Sequence, residues 1–289
     1  MKIKRVIHIL SVLLFLLAVI GCQQEQETAQ AEGVVQANTA YLDNFGDPPY
    51  ETKGRAYARV GYLPLRKNSN LVRAIPLFLF TDQNQLGHIL ETLTSGQLSL
   101  SAESDLQDSF AKNIDISVRS LEGGLLVLDL ASTNAWSAID LQPVVKALTE
   151  TAVQFSDVTY VRFLLDGRPM TNMPEKGFEH NPEDVAVVTK PTLVDIAGTW
   201  HNDEEDLEEI SVRFDRPITV NRFALYDNTG KKVEGEYFTS VLQMAVVIHP
   251  DNPKRFKEGS ELQAEWDIVD ALGRTNKGTT RLPLKHIEH

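Results

Sequence analysis

The sequence predicts an α+β domain, a mixed sheet with two helices, followed by an all-β sandwich, and three patterns lead to this prediction. Residues 54–170 alternate strand-like apolar runs with two stretches whose apolar residues recur at helical spacing. Residues 171–190 contain Pro174 and Pro182 and few apolar residues, which is typical of a linker. Residues 191–286 carry short alternating runs separated by turn signals, the pattern of a β-sandwich.

The first 21 residues have the layout of a secretory signal peptide. Lys2, Lys4 and Arg5 precede an apolar stretch over residues 6–20. That stretch is shorter than the roughly 20 residues that a permanent membrane-spanning helix needs. We therefore expect cleavage after residue 21 and export of the remainder.

Cys22 is the predicted lipidation site. The segment Val19-Ile20-Gly21-Cys22 resembles a bacterial lipobox, which implies that the thiol receives a diacylglycerol, and Cys22 is the only cysteine in the chain. The alternative is an ordinary thiol at the end of an unlipidated signal peptide. The predicted location is the outer face of the cell membrane, or the outer membrane where the cell has two.

Residues 22–53 are rich in Gln, Glu, Ala and Thr, and we predict a flexible lipidated tether there. The formal net charge of −12 argues against a nucleic-acid partner, because such binding depends on clustered Lys and Arg. The same charge is repelled by anionic lipid, so attachment to the membrane depends on the acyl groups.

The first domain is predicted from residue 54 onward. Residues 55–65 and 71–80 are apolar, extended runs, which predict two strands. A helix follows, with apolar residues at positions 86, 89, 90 and 93, Asp82 as its cap and Gly96 as its stop signal.

The second half of this domain contains a hairpin, a helix and a strand. Alternating residues on either side of Gly123-Gly124 predict the hairpin, since glycine accepts the positive φ that its turn requires. Residues 139–155 present one apolar helical face. A strand over residues 158–165 then ends at Asp166-Gly167.

The motifs Glu122-Gly123-Gly124, Val145-Lys146-Ala147-Leu148 and Val161-Arg162-Phe163-Leu164-Leu165-Asp166-Gly167 are similar to those of GerM-type domains, which are named for sporulation and spore germination. The resemblance covers about residues 54–170. It implies a small α/β domain, commonly on a membrane-attached protein of the cell envelope, and it supplies no catalytic residues.

The second domain is predicted over residues 191–286. Apolar and polar residues alternate at 210–214 and 223–225, which predicts strands before the turn Asp227-Asn228-Thr229-Gly230. Three more strands are predicted at residues 242–248, 262–269 and 279–284. The segments Ser211-Val212-Arg213-Phe214-Asp215 and Ile268-Val269-Asp270-Ala271-Leu272-Gly273 resemble bacterial Ig-like modules of surface-layer and copper-resistance proteins. That resemblance implies an Ig-like sandwich.

The sequence carries no motif for known chemistry. It lacks a Gly-x-Ser-x-Gly turn, a His-Glu-x-x-His helix and a phosphate-binding loop, so we predict no catalytic residue and no cofactor. Residues 201–206 with Glu208 and Glu209 offer oxygen ligands for calcium, but an exposed acidic loop is favoured because the spacing of a calcium loop is missing. We therefore predict no metal site.

Tryptophans and two charged residues are the remaining candidates for recognition. Trp136, Trp200 and Trp266 have the aromatic faces that stack on sugars, but core positions are the more common use, and Trp266 alternates with core residues. Arg162 and Asp166 are candidates for a surface contact or for ordinary solubilising charges.

These observations favour a non-enzymatic lipoprotein that acts by protein contacts in envelope assembly or in sporulation- and germination-related processes. Its expected partners are the membrane, through the lipid, and envelope proteins or further copies of itself. The alternatives are a peptidoglycan- or glycan-binding module with the Ig-like domain as spacer, and a cell-wall enzyme with unrecognised residues.

Overall fold

The first domain contains two sheets and three helices within the described part of the chain. The computed structural model describes residues 33–50, 54–95, 98, 100, 104–107, 115–131, 141–170, 173–200 and 207–287. The elements of this domain, in chain order, are β1 (Val34–Ala37), α1 (Thr39–Phe45), β2 (Arg55–Pro64), β3 (Val72–Leu79), α2 (Gln85–Thr94), β4 (Ile116–Glu122), β5 (Leu125–Leu130), α3 (Leu141–Ala152), β6 (Tyr160–Leu165) and β7 (Arg168–Pro169).

The first sheet has the order β1-β2-β3, with β1 parallel and β3 antiparallel to β2. The central strand, β2, is longer than β1. Beyond the end of β1, side chains of α3 and of the turn after α3 form hydrogen bonds with the backbone of β2. Gln154 Nε2 donates to the Val60 carbonyl at 2.6 Å, and Thr151 Oγ1 accepts from the Tyr62 N–H at 3.0 Å. These side chains therefore supply hydrogen-bond partners to β2 at Val60 and Tyr62, where β1 does not reach.

The second sheet has the order β4-β5-β6-β7 and contains the predicted hairpin. Gly123 and Gly124 have positive φ at its turn, and β6 lies parallel to β5. Between β5 and β6 the chain forms α3, as the helical spacing predicts. Apolar side chains of both sheets and the three helices share one core, for example Tyr41, Leu63, Leu93, Leu128, Leu148 and Phe163.

Two boundaries of the predicted domain differ from the structure. The tether predicted over residues 22–53 is not a tether in its second half, because residues 34–45 form β1 and α1. Asn38 caps α1 by accepting from the Tyr41 N–H at 3.0 Å, and Tyr41 and Phe45, one helical turn apart, enter the core. Helix α2 begins at Gln85, so Asn84 rather than Asp82 lies at its cap, and the predicted stop Gly96 is outside the described residues.

The predicted linker packs along the first domain over most of its length. Phe178 forms an antiparallel bridge with Val161, and Val185 forms a parallel bridge with Val72. A short 3-10 helix at Pro182–Asp184 lies between these contacts. Met173, Phe178, Val185 and Val188 pack against the core of the first domain, whereas Val187 is exposed. So few apolar contacts are needed that the composition of the segment resembles that of a free linker.

The second domain is a seven-stranded sheet folded into two layers. Its strands are β8 (Leu193–Trp200), β9 (Leu207–Phe214), β10 (Thr219–Tyr226), β11 (Gly235–Thr239), β12 (Ala245–Pro250), β13 (Glu261–Val269) and β14 (Thr275–His286). The order is β10-β13-β14-β8-β9-β12-β11. The first part of β14 pairs with β13 and its last three residues pair in parallel with β8, so one strand joins both layers.

The predicted class, α+β followed by an Ig-like sandwich, is confirmed. Two strands of the sandwich, β8 and β11, were not predicted. The β8 segment is buried almost throughout, so it lacks the alternation that marks a half-exposed strand. Within the described residues, no helix has the length and apolarity to span a membrane.

Candidate functional site

The two domains meet around a buried arginine, Arg216, which lies between β9 and β10 of the second domain. Arg216 Nη2 lies 2.9 Å from Asp215 Oδ2, and Nη1 lies 3.4 Å from Asp270 Oδ2. Its Nη1 also donates to the Thr189 carbonyl at 2.6 Å. The guanidinium carbon lies 5.7 Å from the centre of the Phe45 ring, at the end of α1 in the first domain. Arg216 therefore links the two domains by ion pairs on one side and a cation–π contact on the other.

A second arginine completes this link. Arg274 Nε donates to Asp270 Oδ2 at 2.6 Å, so Asp270 is shared by Arg216 and Arg274. The two terminal nitrogens of Arg274 donate to the carbonyls of Asn44 at 2.8 Å and Val188 at 3.0 Å. Arg274 thus contacts α1, the connecting segment and the sandwich at once. We call Arg216, Asp270 and Arg274 the junction cluster.

Beside the junction cluster lies a cavity of about 360 Å³ between the domains, which we call the interdomain cavity. Most of its wall is apolar and comes from both domains, including Phe45, Ile75, Leu106, Val194, Phe214 and Met244. Sites for ligands are commonly concave, mostly apolar, within this range of volumes and located between domains. The interdomain cavity is therefore the candidate functional site.

The edge of β3 forms one wall of this cavity. Arg73, Ala74, Ile75 and Pro76 all line it, although successive strand side chains point to opposite faces of a sheet. Four consecutive residues can share one cavity only when it lies along the lateral edge of the strand. The cavity therefore faces backbone groups as well as side chains.

The register of β2 and β3 identifies which backbone groups face the cavity. Ala74 is paired with Tyr62, and Pro76 with Val60. The N–H groups of Tyr62 and Val60 bond to Thr151 and Gln154, away from β3. These are therefore non-hydrogen-bonded pairs of the ladder, and the backbone groups of Ala74 and Pro76 point outward.

The outward groups of Ala74 have no partner among the described residues. Ala186 N–H donates to the Val72 carbonyl at 2.8 Å, but no described group bonds to the N–H or the C=O of Ala74. Ala74 is only 3% exposed. A buried backbone group without a partner costs roughly 1–3 kcal/mol, so this edge favours a bound group that supplies hydrogen bonds.

The charged groups of the cavity wall are held in ion pairs. Arg73 Nη1 donates to Asp105 Oδ2 at 2.9 Å, and Arg213 Nε donates to Asp195 Oδ1 at 2.7 Å. Arg216 belongs to the junction cluster. Because each arginine faces a carboxylate, the cavity offers little net charge to a ligand, and it suits an uncharged one.

A second cavity of about 620 Å³ is lined by residues of α1 and by Tyr62, Glu150 and His180. Buried Glu150 accepts from the Asn181 N–H at 3.0 Å and lies 2.7 Å from His180 Nδ1. Burial, and secondarily the charge of Glu150, raise the pKa of Tyr62 to about 12. Tyr62 is therefore a neutral hydrogen-bonding group at physiological pH.

Several residues predicted from the sequence lie outside the described residues. These are Cys22, the whole signal peptide, Trp136 and the acidic residues 201–206. Glu208 and Glu209 belong to β9. Where the chain is described, no group of three or more His, Cys, Asp or Glu side chains is arranged to hold a metal ion.

The remaining predicted residues that the structure describes do not line the interdomain cavity. Trp266 is 8% exposed and packs edge-on against Phe214, so its predicted core position is confirmed. Trp200 is half-buried and contacts the ring of His286 at 5.0 Å. Arg162 donates to the Glu175 carbonyl at 2.8 Å. Asp166 adopts a positive φ of 52° at the turn after β6.

The cavity does not follow from the sequence patterns, although one residue indicates the sheet edge beside it. Pro76 interrupts a predicted strand, and proline within a strand indicates a sheet edge because it cannot donate a ladder hydrogen bond. The junction cluster had no comparable signal, since Arg216, Asp270 and Arg274 meet only after both domains have folded.

Residues 61–171 match the model of the Germane family, described as sporulation and spore germination. The first GerMN domain of the sporulation protein GerM from Bacillus subtilis is 21% identical, with 45% of this chain and 96% of that one covered and a TM-score of 0.32. The tandem GerMN domains of the same protein are 19% identical, with 62% and 58% covered and a TM-score of 0.32. This chain therefore spans 58% of the tandem structure's length.

A copper resistance protein is also among the solved structures that match part of the chain. PcoC, a methionine-rich copper resistance protein from Escherichia coli, is 16% identical, with 34% of this chain and 100% of that one covered and a TM-score of 0.25. No curated protein sequence matches the chain.

Proposed function

We propose that this chain, in which residues 61–171 form a GerM-type domain, is a non-enzymatic, lipid-anchored protein of the cell envelope that acts by protein contacts. The protein would act in sporulation, in germination or in the envelope assembly that accompanies them. The family description links the domain to sporulation and germination. The lipid at Cys22 and the envelope location rest on the signal peptide and lipobox of the sequence.

The observation that carries the proposal is the interdomain cavity with its free strand edge. The junction cluster holds the two domains together around it, and its arginines are occupied by carboxylates rather than available to a substrate. Such a site has the features of recognition: an apolar surface, unused backbone hydrogen bonds and a fixed frame.

The anchoring part is tested by metabolic labelling with an alkyne analogue of palmitate. We expect label on the full chain in the membrane fraction and none on the Cys22→Ala variant, while both chains are produced. Label that persists in Cys22→Ala, or native chain recovered from the cytosol, would contradict the anchor.

The contact part is tested by cross-linking in living cells with a reagent that does not cross the membrane. We expect discrete cross-linked species that contain the full chain and either an envelope protein or a second copy. Light scattering of the purified chain at several concentrations separates self-association from binding of another protein. Release of soluble fragments from labelled peptidoglycan by the purified chain would instead identify an enzyme.

A second candidate function, glycan binding, is favoured by one exposed aromatic residue. Phe80 is 67% exposed and lines a groove of about 330 Å³ with His88, Glu91 and Thr92. An aromatic face beside polar side chains is suited to a sugar ring. If this groove binds wall glycan, Phe80→Ala should abolish retention on purified peptidoglycan at moderate salt, and the exposed control Val241→Ala should keep it.

A further inference from the structure

The free edge of β3 is the strongest unused feature of the molecule. Ala74 presents an N–H and a C=O, and Pro76 presents a C=O, along the wall of a buried apolar cavity. At Val72 the same edge already accepts a hydrogen bond from Ala186 of the connecting segment. In the described part of the chain, no strand continues this pairing toward Ala74 and Pro76.

We propose that the interdomain cavity binds an extended, uncharged apolar peptide of a partner protein, which adds as a strand to the outer edge of β3. This inference rests on the proposed function and names the chemistry of the partner. The peptide backbone would bond to Ala74 and Pro76. Its side chains would enter the apolar space between β3 and the second domain, as in other cases of strand addition.

Two observations favour a peptide over an acyl chain as the occupant. A hydrocarbon chain has no donor or acceptor for the Ala74 backbone, whereas a peptide strand has both at the required spacing. The outer edge of β3 also already pairs with the connecting segment in the bridge between Val72 and Val185, so a strand bound at Ala74 and Pro76 would add to an edge that the fold already uses for pairing.

The charges explain why the partner segment should be uncharged. Arg73, Arg213 and Arg216 are each bonded to a carboxylate at the cavity wall. A charged side chain in this space would lose its water without gaining a free counter-ion. Apolar and small polar residues therefore fit, and Asp, Glu, Lys and Arg do not.

The test begins with selection of random eight-residue peptides displayed on phage against residues 33–289, which contain both hydrophobic cores. We expect enrichment of apolar sequences without charged residues. The enriched peptide, synthesised with capped ends and a fluorophore, then serves as the probe in polarisation measurements. A selection that yields no binder, or only charged sequences, would overturn the proposal.

Two variants of Ala74 test whether the peptide binds at the edge of β3. Ala74→Pro removes the outward N–H but leaves the β2–β3 ladder intact, because that N–H does not point to β2. We expect the Kd of the peptide to rise roughly fivefold to tenfold, which corresponds to the loss of one hydrogen bond. Ala74→Gly keeps the N–H and should retain binding, and thermal unfolding confirms that each variant is folded.

Filling the cavity from the other domain gives an independent test. Ala245 lines the cavity on β12, and Ala245→Trp should abolish peptide binding. Val241→Trp is the matched control, because Val241 precedes the same strand but is 49% exposed and does not line the cavity. Binding that is unchanged in both Ala74→Pro and Ala245→Trp would reject this site.

Further outcomes separate this inference from the proposed function. Binding of the fluorescent fatty acid cis-parinaric acid that is lost in Ala245→Trp, without peptide binding, would identify a lipid site and overturn the inference. A different outcome is that the full chain keeps its cross-links to envelope proteins when it carries Ala74→Pro or Ala245→Trp. That result would support the proposed function in protein contacts and show that the contacts are made at another surface.

Discussion

Asp227 illustrates how one buried side chain fixes a turn of the sandwich. Its Oδ1 accepts from the Thr229 hydroxyl at 2.6 Å, from the Thr229 N–H at 2.9 Å and from the Lys231 N–H at 3.0 Å. Arg255 is an ion-pair partner of the other oxygen. These hydrogen bonds, led by that of the Thr229 hydroxyl, lower the pKa of Asp227 to about 2.

This shift predicts a defined loss of stability in acid. The pKa of Asp227 is lower in the folded than in the unfolded chain, so the ionised side chain stabilises the fold at pH values above about 4. The contribution is lost as the pH falls toward 2. We expect urea midpoints of the wild type to fall more steeply over this range than those of Asp227→Asn. Thr229→Val, which loses the first of the hydrogen bonds, should be intermediate, and parallel curves for all three would contradict the prediction.

At the scale of the element, α1 is part of the folded first domain, which therefore begins before Gly54. Tyr41 is fully buried and Phe45 is 3% exposed, and Asn38 also donates to the Gln154 side chain at 3.0 Å. The helix packs on β2 and at the same time supplies the phenyl ring next to Arg216. It therefore belongs to both the core and the interdomain junction.

A fragment that starts at Gly54, the predicted start of the domain, should be markedly less stable than one that starts at Gly33. Loss of a buried aromatic residue costs about 3–5 kcal/mol, so we expect the melting temperature to fall by roughly 10 °C or more. Circular dichroism of the two fragments on heating measures this. The variant Phe45→Ala in the longer fragment is the matched control and should show a smaller fall. Equal melting temperatures for both fragments would mean that α1 does not stabilise the domain.

The elements show which parts of the fold and site can be predicted from sequence. Strands β2 and β3, the β4–β5 hairpin and α3 follow from local periodicity, which burial on one face imposes. Helix α1 was missed because it is only seven residues long and lies in a polar segment, so few apolar residues mark it. The edge of β3 depends on register, which local patterns do not specify except through Pro76.

At the scale of the whole molecule, the two domains form one structural unit rather than two modules on a free linker. Residues 33–289 cluster as a single compact unit. The connecting segment pairs with the first domain at Val161 and Val72, and Asn276 of β14 donates to the Pro191 carbonyl at 2.8 Å. The sequence predicts a linker here because proline and polar residues are equally suited to a segment packed on a surface.

The junction cluster should therefore couple the unfolding of the two domains. Arg216 and Asp270 are buried, and Arg216→Ala removes the ion pairs with Asp215 and Asp270, the hydrogen bond to the Thr189 carbonyl and the contact with Phe45. Loss of such a buried ion-pair partner costs on the order of 3 kcal/mol, although Arg274 remains paired with Asp270. We expect one calorimetric transition for residues 33–289 and two for Arg216→Ala, with the second domain, which contains Asp270, melting first. Arg281→Ala, at an exposed position on β14, should keep the single transition and change stability by no more than about 0.5 kcal/mol. If Arg216→Ala also unfolds in one transition at the wild-type temperature, the cohesion of the molecule must come from the apolar contacts around Phe45, and the interdomain cavity would not depend on the arginines for its shape.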